Sequence, residues 1–264
     1  MVMYRFHTGR SLSGHSHCLS CGTSLRWFEL FPLLSYLALR GKCRSCGCHI
    51  PIRYFLLELA TALLFLLIYI QFGISVLSGV TVLLGVILLM ITVYDLYHMV
   101  IPDELVIAVG AVGLVHFALT HYAGFIWEDV LMHLLAAAGA FGFYGGLWFV
   151  SKGRWIGFGD AKLAIPLGFI LGPMVTFSFV VLSFWVGAAV SILILLLPRV
   201  RHIASYLSTA VWNLGRTCPQ GSVVNSRRYF TMKSEVPFAP FMVIAFLLVY
   251  VCGVHVLDIM MRIG

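Results

Sequence analysis

The sequence has 264 residues, of which 61% are hydrophobic and only 10% are charged, whereas soluble domains carry about 25% charged residues. This composition excludes an ordinary soluble enzyme and predicts an all-α polytopic membrane protein. The formal net charge is +7, an excess of the kind that orients membrane proteins. No basic run is interleaved with aromatic residues, so we expect no nucleic-acid partner.

The chain begins with a mixed, basic segment, 1–53, that contains no run long enough to cross a bilayer. Apolar runs follow, and because a span needs about 20 apolar residues, they predict about seven transmembrane helices. The predicted spans are 54–72, 75–95, 104–121, 129–150, the closely joined pair 161–172 and 173–197, and 237–259. The sequence therefore predicts a cytoplasmic region, 1–53, and a transmembrane domain, 54–264.

Lysine and arginine predict the orientation. They concentrate in 1–53, around the loop 151–160, and in 198–236, whereas the loops near 122–128 and 172–173 contain none. With seven spans the three basic segments fall on one side, which the positive-inside rule makes cytoplasmic. Segment 198–236 is also rich in turn-forming residues, and its mixed stretch 201–215 predicts a helix lying in the membrane interface.

Four cysteines form two C-x-x-C pairs in the N-terminal region. The pairs are CLSC (18–21) and CRSC (43–46), and a glycine follows each of them. Four thiolates suit tetrahedral Zn²⁺ and leave no open position, which predicts a structural site. The predicted ligands are Cys18, Cys21, Cys43 and Cys46. Two redox-active pairs are the alternative, and Cys48 and His49 are possible substitute ligands.

Two aspartates end predicted spans on the same side of the membrane. Asp95 closes the second span and Asp160 opens the fifth. An ionisable group at a membrane edge is a functional candidate. Two carboxylates that approach closely share one proton, so that the pair can activate water as a base and protonate a leaving amine as an acid. Asp95 and Asp160 are therefore predicted to be catalytic residues of an aspartic peptidase.

The residues around these acids suit an extended substrate. Gly157 and Gly159 lack side chains, so a substrate backbone could approach Asp160. Pro102 precedes a helix whose first residues, Asp103 and Glu104, lie at its positive end. Lys162 either holds Asp160 charged or faces lipid headgroups.

Glu58, His116 and His133 are further candidates inside predicted spans. Glu58 falls within the first span, where it is either a partner for another polar group or part of a binding site. His116 and His133 have no second ligand one turn away, so we expect both to be packed or hydrogen-bonded rather than bound to metal.

These motifs together resemble the type IV prepilin peptidase family, the bifunctional leader peptidases and N-methyltransferases of bacteria, which are G-x-G-D intramembrane aspartic proteases. The cysteine-rich region 16–47, including Gly41, is similar to that family's cytoplasmic region. YDLYHMVIPD (94–103) and GFGDAKL (157–163) resemble its two aspartate motifs, and VPFAPF (236–241) resembles its C-terminal P-F-G-P element.

The resemblance implies an inner-membrane enzyme with Asp95 and Asp160 as its catalytic dyad. It implies cleavage of the leader of prepilins or pseudopilins, the substrates of type IV pilus and type II secretion systems, at the cytoplasmic face. It also implies S-adenosylmethionine-dependent methylation of the new N-terminus, an activity associated with the zinc-binding cysteine region. The lipid bilayer and the prepilins are the partners that it implies.

The sequence departs from the family pattern at three places. Tyr97 stands where many members have a second aspartate, and Ala239 replaces the glycine of the P-F-G-P element. The family usually has one more span before the cysteine region, and VMYRF (2–6) resembles the end of it, so a gap in the bundle is expected.

Two other functions fit parts of the pattern. A proton- or ion-coupled transporter would use Asp95, Asp160 and Glu58, but its acids should lie near the middle of the bilayer. A non-catalytic zinc-ribbon scaffold would bind partners and would tolerate replacement of either aspartate.

Overall fold

The computed structural model describes residues 16–18, 21–122, 126–196 and 237–256, and side chains are not described for 194–196. Within these ranges the chain is helical, with two isolated β-bridges and no strands. A 3₁₀ turn covers Trp27–Leu30. The helices are α1 (Leu34–Ala38), α2 (Ile52–Phe72), α3 (Val76–His98), α4 (Asp103–Thr120), α5 (Trp127–Ser151), α6 (Phe158–Leu171), α7 (Pro173–Leu196) and α8 (Ala239–Tyr250).

Five of these helices, α2, α3, α4, α5 and α7, are long and apolar enough to cross a membrane. The prediction of an all-α membrane protein is confirmed. The other two predicted spans coincide with shorter helices, α6 with 14 residues and α8 with 12. The predicted interfacial helix at 201–215 and the stretch 2–6 lie outside the described residues.

Proline and glycine set the ends of the central helices. Pro102 precedes the first residue of α4, and Gly157 precedes the first residue of α6. Gly172, at φ 72°, separates α6 from α7, which begins at Pro173. Proline suits the first turn of a helix because the amide that it lacks would have no partner there. The predicted tight turn at Gly172–Pro173 is confirmed.

The chain divides into two compact units, one of residues 1–63 and 194–234 and the other of residues 64–193 and 235–264. The short helix α6 is the buried centre of the second unit, where it contacts α4, α5 and α8. Ala161, Leu163, Ala164 and Leu167 are completely buried. Because other helices enclose α6, it contributes to the core without needing the length of a lipid-facing span.

Small residues bring α5 and α6 close together. A Cβ atom on Gly168 of α6 would lie 3.0 Å from the carbonyl oxygen of Ala136 and 3.1 Å from the Cβ of Ala140, both on α5. Such contacts between small side chains are typical of helix packing in membranes, where backbones approach closely and van der Waals contacts drive association. This packing fixes the axial position of α6 and therefore that of its first turn.

The two histidines inside spans have hydrogen-bonding partners, as predicted. His116 on α4 bonds through Nε2 to the Tyr250 hydroxyl on α8. His133 on α5 bonds through Nδ1 to the carbonyl oxygen of Phe169 on α6. Both histidines therefore connect helices of the second unit.

Candidate active site and metal site

Asp95 lies in the last turn of α3 and is only 5% exposed. Its Oδ2 accepts a hydrogen bond from the backbone N–H of Ala239, at 3.3 Å. Ala239 is the first residue of α8, and the first amides of a helix have no partner within the helix. The start of α8 therefore supplies a hydrogen-bond donor that holds the Asp95 side chain in place.

Asp160 lies in the first turn of α6 and is 6% exposed. Its Oδ2 accepts a hydrogen bond from the N–H of Gly157, the residue that precedes the helix, at 3.2 Å. A carboxylate in this position also benefits from the positive end of the helix dipole. Asp160 is thus oriented by its own helix terminus, whereas Asp95 is oriented by a distant segment.

The structure places the two carboxyl groups within electrostatic range of each other. Asp95 and Asp160 are both buried in the second unit, and their carboxyl groups are close enough to interact electrostatically. Tyr144 of α5 is completely buried, interacts electrostatically with Asp160, and forms a 2.7 Å hydrogen bond between its hydroxyl and that of Ser183. Two neighbouring carboxyl groups in a protected site have the composition that acid–base hydrolysis requires.

Gly159 allows the first turn of α6 to pack closely against the segment before α4. A Cβ on Gly159 would lie 3.1 Å from the Cβ of Ile101, a buried residue next to Pro102. The space beside Gly159 therefore holds Ile101 rather than open access for a substrate. At Gly157 a Cβ would lie 3.4 Å from the Asp160 Oδ2, which is ordinary contact.

Lys162 forms an ion pair with Asp103, with 2.7 Å between Nζ and Oδ1. Its ammonium group also lies 5.2 Å from the centre of the Phe158 ring. Lys162 therefore has an ion-pair partner that the sequence did not predict, and it links the first turns of α4 and α6.

Glu58 has a backbone partner in the first unit. Its Oε2 accepts a hydrogen bond from the N–H of Leu33, at 2.8 Å. Leu33 precedes helix α1 and has φ 60°, a left-handed conformation that is strained for leucine. Of the two roles predicted for Glu58, the structure supports the first, a partner for another polar group.

The four predicted metal ligands form one cluster. The Sγ atoms of Cys18, Cys21, Cys43 and Cys46 all lie within 4.8 Å of one another, and those of Cys18 and Cys46 are 3.9 Å apart. A tetrahedral zinc site, with zinc–sulfur distances of about 2.3 Å, separates its sulfurs by about 3.8 Å. The donor set therefore fits a metal ion. Cys48 is disulfide-bonded and His49 is not part of the cluster.

The two cysteine pairs share one kind of backbone hydrogen bond. In each, the N–H of the glycine donates to the carbonyl oxygen of the first cysteine at 2.9 Å, from Gly22 to Cys18 and from Gly47 to Cys43. Gly22 has φ +70° and Gly47 has φ +69°, values that glycine adopts without strain. The glycine after each cysteine pair therefore turns the chain in the same way, and the two pairs present their thiols to one point.

The electrostatics of the cluster also suit a cation. A hydrogen bond with the Thr23 side chain lowers the pKa of Cys21 to about 6, and one with the Cys46 backbone lowers the pKa of Cys43. The Cys48 backbone lowers the pKa of Cys46, but desolvation and the neighbouring thiols outweigh it and raise that pKa to about 12. Thiolates at this spacing repel one another, and a bound cation relieves that repulsion.

Sequence reasoning missed three contributors to the candidate active site: the amide of Ala239 and the side chains of Ile101 and Tyr144. Ala239 belongs to VPFAPF, and the resemblance of this motif to a family element indicated that the segment matters. The role of Ala239 could not be predicted, because its interaction uses the backbone amide and not the side chain. Ile101 gave no signal, since an isoleucine before Pro102 is ordinary in sequence.

Comparison with known proteins agrees with the arrangement of these motifs. Residues 1–72 match the bacterial peptidase A24 N-terminal domain, and residues 82–192 match the type IV leader peptidase family. Relatives named prepilin leader peptidase/N-methyltransferase include that of Pseudomonas aeruginosa, 36% identical over 211 residues, and that of Stutzerimonas stutzeri, 34% identical over 206 residues. Each alignment covers 75% of this chain and 70% of the relative.

A relative from Bacillus subtilis with the same name is 34% identical over 181 residues, which are 67% of this chain and 69% of the relative. No solved structure matches the chain significantly. The matches cover both the cysteine region and the segment that contains the two aspartates. The chain belongs to the type IV leader peptidase family.

Proposed function

We propose that this protein is a membrane-embedded prepilin leader peptidase that also N-methylates its product, with Asp95 and Asp160 as the catalytic dyad. The observation that carries the proposal is the approach of these two buried carboxyl groups at the ends of α3 and α6. Family membership supports it, because relatives that are 34–36% identical in sequence carry the name prepilin leader peptidase/N-methyltransferase.

In this proposal the dyad hydrolyses one peptide bond of the substrate. The ionised carboxylate takes a proton from a water molecule, whose oxygen attacks the scissile carbonyl carbon. The protonated carboxyl group then gives its proton to the leaving amine. The hydrogen bonds from Gly157 and Ala239 hold the two carboxyl groups in position, so that little reorganisation is needed as charge develops.

The proposed methylation uses S-adenosylmethionine, which supplies the methyl group for the new N-terminal amine. The proposed zinc ion would be held by Cys18, Cys21, Cys43 and Cys46 and would stabilise the fold of the N-terminal region, 1–53. A site with four protein ligands leaves no position for a substrate, so a structural role suits it better than a catalytic one.

We place the protein in a bacterial inner membrane, with the cysteine region and both aspartates on the cytoplasmic side. Five apolar helices support the membrane assignment. The proposed orientation depends on the clustering of lysine and arginine in segments that would share one side. Prepilins and pseudopilins are the proposed substrates, cut between their leader and their hydrophobic helix. The proposed transmembrane peptidase domain is 54–264.

The alternatives are less well supported. A transporter requires acids along a path through the bilayer, whereas Asp95 and Asp160 belong to the terminal turns of their helices. A scaffold gives no reason for two carboxyl groups to be buried together at an energetic cost.

Mass spectrometry of the N-terminus of a co-expressed prepilin tests the proposed function. We expect the leader to be removed and the new N-terminus to carry one additional methyl group. An intact leader in every prepilin tried would contradict the peptidase assignment, and cleavage without methylation would restrict the function to proteolysis.

A further inference from the structure

One set of neighbouring side chains in the described part of the first unit is apolar and exposed. It consists of Trp27, Leu30, Phe31, Leu34 and Leu37, which we call the apolar face. Trp27 is 75% exposed, Leu34 is 67% exposed and Leu37 is 61% exposed. Soluble surfaces rarely expose so many large apolar side chains next to one another, and such a patch marks a membrane or protein contact.

The segment that carries the apolar face is attached to the first turns of α2. The Leu33 N–H donates to the Glu58 carboxylate at 2.8 Å, and the Tyr36 ring packs against Phe55 with 5.2 Å between ring centres. Glu58 lies about 9 Å along the helix from Ile52, since each helical residue rises 1.5 Å. Because α2 is long and apolar enough to cross a membrane, these contacts hold the segment beside the first turns of a candidate span, where such a helix would enter the bilayer.

Basic residues flank the apolar face. Arg26 precedes it, and Arg40, Lys42 and Arg44 follow it, whereas Glu29 is the only acid between residues 16 and 51. All four basic residues are exposed, and the Arg44 guanidinium lies 5.5 Å from the centre of the Phe28 ring. An exposed apolar surface with basic residues beside it is typical of segments that lie in the membrane interface, where phosphate groups meet the acyl chains.

We propose that the apolar face is a lipid-binding surface that inserts into one leaflet of the bilayer beside α2. The Trp27, Leu34 and Leu37 side chains contact acyl chains, and the flanking basic residues lie at the level of the phosphates. The cysteine knuckles on either side of the segment, at 16–25 and 41–50, are thereby held against the membrane surface. This inference is independent of the peptidase and methyltransferase activities.

The depth of the segment favours lipid over a protein partner. A soluble partner could not reach a surface held level with Glu58 without entering the bilayer itself. Three backbone amides at this depth have acceptors: the Leu33 amide bonds to Glu58, and the Arg40 and Gly41 amides bond to the carbonyl oxygens of Leu37 and Tyr36. Satisfied backbone groups are the condition for placing a non-spanning segment near hydrocarbon.

Photo-crosslinking tests the proposal. A benzoylphenylalanine residue is introduced at Leu34 of the full chain, and the protein is reconstituted in vesicles of phosphatidylethanolamine and phosphatidylglycerol and irradiated. The matched control carries the same residue at Ser45, an exposed position in the second knuckle. We expect several-fold more phospholipid adduct from position 34 than from position 45, and the same excess when the label is moved to Leu37.

Equal lipid yields at positions 34, 37 and 45 would overturn the proposal. Crosslinks from position 34 to a second copy of the chain, or to a co-reconstituted prepilin, in place of lipid would also overturn it, because they would identify a protein as the occupant. The metal content of each labelled protein, compared with the unlabelled chain, verifies that the N-terminal region has folded.

Discussion

The carboxylate of Asp95 accepts a hydrogen bond from the backbone N–H of Ala239, at 3.3 Å. This bond joins the last turn of α3 to the first residue of α8, which is completely buried. Ala239 stands where the family pattern has glycine, and its methyl group fits without displacing the amide. The C-terminal motif therefore acts on the candidate active site through its backbone, and alanine at this position is compatible with the hydrogen bond.

Replacing Gly159 with alanine should disturb the candidate active site. The new Cβ would lie 3.1 Å from the Cβ of Ile101, a rigid part of a buried side chain, so the first turn of α6 must shift. We expect a loss of about 1–3 kcal/mol in stability, together with reduced prepilin cleavage. Thermal unfolding in detergent and a cleavage assay measure the two effects.

Gly142→Ala is the control for the Gly159 variant, because a Cβ at Gly142 has no neighbour within 4 Å. An equal loss of stability and cleavage in the control would contradict the explanation.

Breaking the ion pair between Lys162 and Asp103 should have a small effect. The two side chains are 35% and 64% exposed, and pairs of this kind contribute about 0–1 kcal/mol. We expect Lys162→Met and Asp103→Asn each to lower the unfolding temperature slightly, and the double variant to lower it by less than the sum. Loss of cleavage in Lys162→Met as complete as in an Asp160 variant would show instead that Lys162 acts on Asp160 directly.

The four-cysteine cluster should bind about one zinc ion per chain, because four thiolates complete one tetrahedral site. Cys18→Ser removes one ligand, and elemental analysis of the purified protein should then show most of the metal lost. Cys252→Ser is the matched control, since Cys252 is an exposed free thiol outside the cluster. Full zinc content in Cys18→Ser, or equal loss in both variants, would be inconsistent with the assigned ligands.

Glu58 should stabilise the segment before α1. Glu58→Leu leaves the Leu33 amide without its acceptor, which costs about 1–3 kcal/mol for a group removed from water. Glu58→Gln keeps an acceptor oxygen of the same reach and should lose less. Thermal unfolding of both variants compares them, and a glutamine variant as unstable as the leucine variant would show that the negative charge, not the hydrogen bond, matters.

Features that are determined by residues close together in the sequence were predicted successfully. C-x-x-C-G predicted both knuckles because two cysteines and a positive-φ glycine determine a knuckle within five residues. Asp95 closes a predicted span and Asp160 opens one of opposite direction, so the two were expected at one level, and in the structure their carboxyl groups interact electrostatically. Gly172-Pro173 predicted a turn for a similar local reason.

Features that depend on tertiary packing could not be predicted. A helix that faces lipid and a helix enclosed by protein both have an apolar composition. The composition of α6 therefore did not indicate its central position. The partners of Lys162, Glu58 and Asp95 lie far away in sequence, and two of them are backbone amides, which carry no residue-specific signal. Only the folded chain shows which donor each of these groups meets.

Cleavage of a prepilin by the Asp95→Asn and Asp160→Asn variants tests the central claim most directly. Asparagine keeps the shape of aspartate but can neither accept the proton from water nor return it to the leaving amine. With membrane insertion verified for each variant, we expect the substrate to keep its leader in both, while the parent protein removes it. Normal leader removal by either variant would contradict the proposal that the two carboxyl groups act as a catalytic pair.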